Sequence, residues 1–150
     1  MKANYELLPE LSFKYKRNAK IIAKQITCSS DIMDVLNEMY DADTLEYSES
    51  AIVIYLNQAN KTIGWKKVSQ GGISGTVVDP RIIIGTALKI GAVSMILSHN
   101  HPSGNLKTSR ADDELTYKIQ GGCKFFDMRL LDHIVITSDG YYSYADDGKL

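Results

Sequence analysis

The chain has 150 residues, 44% of them hydrophobic, with 17 Lys and Arg against 18 Asp and Glu and a formal net charge of -1. That size and apolar content suffice for one globular unit with a substantial core, and near-neutrality gives no electrostatic reason to expect tight nucleic-acid binding. Cys28 and Cys123 are too few and too separated for a disulfide framework or a thiolate zinc site. No signal peptide or spanning apolar run is evident, so the expected location is cytoplasmic and off the membrane.

Taken in chain order, Leu11-Ser12-Phe13-Lys14-Tyr15 alternates like a short strand. The basic residues Lys14, Lys16, Arg17, Lys20 and Lys24 read as a charged edge that discourages sheet aggregation, with a weak anionic-partner patch as the alternative. Ser29-Ser30-Asp31 opens a helix whose Ile32, Val35, Leu36 and Met39 form a core-facing stripe. Ala51 to Leu56 and Thr62 to Val68 then predict a hairpin across Asn57–Lys61, with Trp65 packed or partly exposed. Gly71-Gly72 and Gly75 sit among polar turn residues, which suits a bend or close backbone approach better than a phosphate cradle.

Asp79-Pro80 supplies a cap and a first helical proline for a helix through Ile82 and Ile90 to Gly91. The apolar run Ala92–Leu97 predicts a buried strand extending through His101, followed by a helix from Arg110 to Gln120 that stops at Gly121-Gly122. Met128–Leu131, Ile134–Thr137 and Tyr141–Tyr144 read as closing strands. Helices and strands are interspersed, so the fold class is α/β with a mixed sheet flanked by helices. No repeat, low-complexity tract or long linker divides the chain.

The chemistry concentrates in His99-Asn100-His101-Pro102-Ser103-Gly104, followed by Ser109 and Asp112. On a strand, residues two apart share a side, so His99 and His101 can reach one ion while Asn100 faces away. Catalytic zinc sites commonly use three protein ligands and leave a position for water. Asp112, at the start of the next helix, is the natural third ligand. Ser109-x-x-Asp112 also fits a capping box, and one first-turn position can serve both purposes. Other metal and phosphate motifs are absent from the sequence: there is no Pro-Cys-x-x-Cys, His-Glu-x-x-His, Walker A or Gly-x-Gly-x-x-Gly pattern. His133, between apolar runs, reads as a core histidine or a neighbour of the site rather than a ligand.

The spacing His99-x-His101, seven residues, Ser109, two residues, Asp112 resembles the signature of the JAMM (MPN+) metalloproteases, and His-Asn-His-Pro-Ser-Gly resembles the RadC-like bacterial branch. The likeness covers residues 46–150, including Gly71–Pro80 and Leu131-Asp132-His133, and leaves 1–45 as an N-terminal strand and helix segment packed on the domain. It implies the JAMM/MPN fold, cytidine-deaminase-like in architecture. It also implies a general-base glutamate upstream. Glu49, directly before the Ala51–Leu56 strand, is the choice, with Glu46 as the fallback.

The resemblance further implies zinc-dependent hydrolysis of an amide or isopeptide bond in a peptide or protein substrate. His99, His101 and Asp112 would hold Zn²⁺, Glu49 would move the proton, and Ser109 would donate a hydrogen bond to the oxyanion. Peptidases that cleave ubiquitin linkages usually carry Ser or Thr where Asn100 stands, which argues against carrying ubiquitin over as substrate. RadC-like proteins often carry an additional N-terminal helical DNA-binding region, for which residues 1–45 are too few. The alternative function is a catalytically silent metal-binding or partner-binding scaffold in DNA repair or DNA metabolism. The C-terminal tyrosines suit either core or interface, so the oligomeric state is open at this stage.

Overall fold

The computed structural model describes residues 24–72 and 75–150. The strand expected at Leu11–Tyr15 and four of the five basic residues before the first helix lie outside the described residues. The fifth, Lys24, pairs with exposed Asp34 at 2.6 Å. The elements follow as α1 (Ser29–Asn37), α2 (Ala42–Leu45), β1 (Ser50–Leu56), β2 (Thr62–Gln70), α3 (Pro80–Ile90), β3 (Ser94–Asn100), α4 (Arg110–Phe125), β4 (Arg129–Ile136) and β5 (Tyr141–Ser143). The strands make one sheet in the order β2-β1-β3-β4-β5. Among the described strands only β3 and β4 are parallel, joined through α4, while β1 runs antiparallel to both β2 and β3, and β5 to β4. The mixed α/β sheet is the class the sequence predicts.

Strands β1 and β3 are buried along their whole length, because apolar layers cover both faces of the sheet. Val53, Tyr55, Met95 and Leu97 pack with Ile83 and Ala87 of α3 and Ile119 and Cys123 of α4. On the opposite face Ile54, Leu56, Ile96 and Ile134 pack with Ile32 and Leu36 of α1. Odd-numbered positions of β1 and β3 therefore face α3 and α4, and even-numbered positions face α1. This parity decides where every residue of the site points.

Helix α3 begins and ends where its sequence says it should. The Asp79 side chain accepts from Arg81 N, Pro80 takes the first turn, and Gly91 closes the helix in the left-handed region at φ 67°. Gly71 matches its expected close approach, since a Cβ there would lie 2.5 Å from the Gly75 carbonyl oxygen.

Three expectations need correction. Helix α4 does not stop at Gly121-Gly122 but continues to Phe125. A Cβ on Gly122 would lie 2.3 Å from Ile84 Cδ1, so this glycine lets α3 and α4 approach closely, and buried Ile119 and Cys123 on either side keep the helix wound. The two strands expected at Met128–Leu131 and Ile134–Thr137 are one strand, β4. Its register slips between Met95, opposite Leu130, and Ile96, opposite Asp132. The extra residue interrupts the alternation that sequence reading depends on. Finally, β3 ends at Asn100 rather than His101, although His101 N still donates to Ile136 O at 3.0 Å. The short helix α2 had no counterpart in the sequence reading.

Candidate metal centre

The site forms where the C-terminal end of β3 meets the start of β1 and the first turn of α4. His99 is an odd position of β3 and so faces α4, directly opposite Ala51 of β1. Glu49 lies two residues before Ala51 and shares its side. Its backbone is held by bonds from Glu49 N to Gly72 O at 3.3 Å and from Gly71 N to Glu49 O at 2.8 Å. Glu49, Ala51, Leu97, His99, Asp112 and His133 line one cavity of about 70 Å³, room for several water molecules. Glu46 does not line this cavity.

Asn100 faces the other way, as strand geometry requires, and is 1% exposed. Its Oδ1 accepts from Ser50 N at 2.8 Å and Ser50 Oγ at 3.2 Å. Its Nδ2 donates to Leu45 O at 2.7 Å and Ser48 O at 2.9 Å. One side chain thus ties residues 45–50, which carry Glu49, to the end of the histidine strand. A Ser or Thr has one hydroxyl and cannot supply two donors and an acceptor over that span. The sequence signal for this role was available: an amide placed inward on a buried strand needs partners.

Asp112 arrives on α4. Ser109 caps this helix, its Oγ accepting from Asp112 N at 3.1 Å, while Asp112 Oδ2 accepts from Ser109 N and Ser109 Oγ, each at 2.7 Å. The capping box and the expected ligand are therefore the same residue. His99 Nε2 lies 2.9 Å from His101 Nε2 and 3.2 Å from Asp112 Oδ1, and His101 Nε2 lies 3.6 Å from Asp112 Oδ2. A tetrahedral ion with arms of about 2.0–2.1 Å has ligand atoms about 3.3 Å apart, and one ligand atom from each of the three residues lies within 4.8 Å of the others, close enough to share one ion.

The donor set fits a cation for a second reason. His101 Nδ1 lies 2.6 Å from the Asn105 carbonyl oxygen, which can only accept, so Nδ1 carries the proton and a neutral His101 presents its Nε2 lone pair to the cluster. Converging lone pairs and a carboxylate repel one another unless a cation or shared proton lies among them. His99, His101 and Asp112 together can hold a metal ion.

The electrostatics of the metal-free cluster follow from the same contacts. Burial works against ionised Asp112, but hydrogen bonds that His101 and His99 donate when protonated on Nε2 outweigh it and hold the carboxyl well below the usual range. The Asp112 carboxylate in turn raises the His101 imidazole. Burial raises the Glu49 carboxyl against the opposing pull of His99 and His101. His133 is completely buried, which pushes its imidazole well below its usual value. It lies on β4 opposite Leu97, its Nε2 2.8 Å from His99 Nδ1 and its ring stacked on Tyr144 at 4.8 Å and 9°. His133 is thus a neighbour of the site, as expected, and its partner Thr116 is a residue that sequence reasoning missed.

An α/β domain with two histidines at a strand end and a carboxylate on the following helix defines a metal-binding class. The sequence matches the RadC-like JAB domain family over residues 26–149, and the chain belongs to that family. It is 38% identical over 139 residues to a UPF0758 protein of Flavobacterium johnsoniae, covering 93% of this chain and 59% of that one. It is 35% identical over 144 residues to a UPF0758 protein of Fusobacterium nucleatum, covering 95% and 62%. A UPF0758 protein of Porphyromonas gingivalis is 42% identical over 103 residues, covering 68% and 45%. The chain spans about half the length of the curated relatives it matches. No helix among the described residues is long and apolar enough to cross a membrane.

Proposed function

We propose that this domain is a zinc-dependent hydrolase of amide or isopeptide bonds in peptide or protein substrates. The observation that carries the reading is the convergence of His99, His101 and Asp112 beside a cavity that Glu49 also lines. His99, His101 and Asp112 would hold the ion. When bound, zinc supplies Lewis acidity that acidifies water and polarises a carbonyl.

The chain's own groups supply the rest. Glu49 takes a proton from the attacking water, whose oxygen bonds to the carbonyl carbon. It returns that proton to the nitrogen as the C–N bond breaks. A carboxyl raised by burial suits both halves of this shuttle, because it accepts and releases more evenly near neutral pH. The Ser109 hydroxyl rests on Asp112 Oδ2; turned toward the reacting carbonyl, it donates to the developing oxyanion.

The test is zinc content per chain of protein purified without chelator, compared with a His99→Ala, His101→Ala double variant, followed by peptide and isopeptide hydrolysis. The expected result is about one zinc per chain, lost in the variant together with activity. Absence of zinc that is not reversed by adding it back would overturn the proposal in favour of a partner-binding scaffold.

A further inference from the structure

Behind the cluster, a line of hydrogen bonds runs from one expected ligand to another. His99 Nδ1 lies 2.8 Å from His133 Nε2, His133 Nδ1 lies 2.6 Å from Thr116 Oγ1, and Thr116 Oγ1 donates to the Asp112 carbonyl oxygen at 2.6 Å. Both His133 and Thr116 are fully buried, so water does not compete for these contacts.

The protons in this line can be placed one after another. A carbonyl oxygen only accepts, so the single hydroxyl proton of Thr116 is committed to Asp112 O. Thr116 must then accept from His133, which places the ring proton of His133 on Nδ1 and leaves Nε2 bare. A bare Nε2 at 2.8 Å requires that His99 Nδ1 carry the proton. The remaining nitrogen, His99 Nε2, is the atom that faces His101 and Asp112, and it is left as a lone pair.

We infer that Thr116 and His133 are positioning residues that fix His99 in its metal-binding tautomer, with the backbone carbonyl of Asp112 as the reference acceptor. The inference rests on the proposed metal reading. It extends it by making one ligand's protonation depend on the helix that carries another. His101 reaches the same state separately through Asn105 O, so the two histidines are preset by different elements, α4 and the loop after β3. The sheet cooperates, because the register slip in β4 turns His133 toward α4. Were the register unslipped, with Leu131 opposite Ile96, His133 would fall opposite Ser98 and face α1.

The contrast that tests this is Thr116→Val, which keeps the β-branched shape and removes the hydroxyl, against Thr116→Ser, which keeps the hydroxyl. In metal-free wild-type protein, held well above the usual imidazole range, side-chain ¹⁵N spectroscopy should report protonated Nδ1 and bare Nε2 for both His99 and His133. Thr116→Val should lose this pattern at His99 and bind zinc about 10–100-fold more weakly, with Thr116→Ser within about threefold of wild type. A wild-type His99 protonated on Nε2 would overturn the inference, as would wild-type zinc affinity in folded Thr116→Val protein. The wild-type spectrum decides the matter even if the valine variant does not fold. It also separates this inference from the proposed function, because the tautomer is read without zinc or turnover.

Discussion

At the residue scale, the proposed function divides the work of the β1–β3 junction between Glu49, for chemistry, and Asn100, for placement. Glu49→Gln keeps size and hydrogen bonding but removes the base, so hydrolysis should fall by about 10²-fold or more while zinc content stays at the wild-type level. Parallel loss of zinc would show Glu49 to be needed for the ion rather than for the proton. Asn100→Ala leaves Ser50 N and the Leu45 and Ser48 carbonyls without their partner. Its expected cost is about 3 kcal/mol, the scale of orphaning several buried polar groups. Urea unfolding measures this, and a cost under about 1 kcal/mol would mean that water replaces the amide.

The same contrast operates between elements. Helix α4 carries two adjacent glycines for different reasons: Gly122 faces Ile84 of α3, whereas a Cβ on Gly121 meets nothing within 4 Å. Gly121→Ala should therefore gain close to the full helix-propensity difference, about 0.8–1.0 kcal/mol, and Gly122→Ala should gain less because Ile84 must move. Equal gains in urea unfolding would remove the helix-packing explanation for Gly122. These glycines also mark the limit of what the sequence made legible. His99, His101 and Asp112 could be brought together from strand parity and a cap, both local rules, and α3 was legible from Asp79, Pro80 and Gly91. A glycine such as Gly122, facing a neighbouring helix from within its own, and a strand continued through a register slip depend on partners distant in sequence. For the same reason Thr116 carried no signal, since its importance comes from His133 on another element.

For the whole molecule, the proposed zinc site would make stability depend on metal and pH together, with opposite signs in the two states. In the metal-free protein the Asp112 carboxylate raises His101. A raised imidazole contributes stability that is fully present below its unfolded value of about 6.5 and is lost as pH rises through the folded value. Asp112, held low, contributes stability above the unfolded carboxylate value of about 3.9 and loses it as pH falls through its folded value. The metal-free pair is therefore strongest between these limits. Zinc needs the neutral imidazole, so it competes with the proton that His101 gains on acidification. A fixed zinc concentration about 1,000 times the dissociation constant at neutral pH adds about 4 kcal/mol there, and this gain should grow as pH rises through the His101 transition and the dissociation constant falls. Thermal unfolding of metal-free and zinc-loaded protein across a pH series measures the difference directly. The two curves should separate toward alkaline pH and converge toward acid. His101→Ala should abolish the separation. A zinc-induced shift that is the same at every pH would mean that the ion binds without displacing a proton from His101, and the ligand set would have to be redrawn.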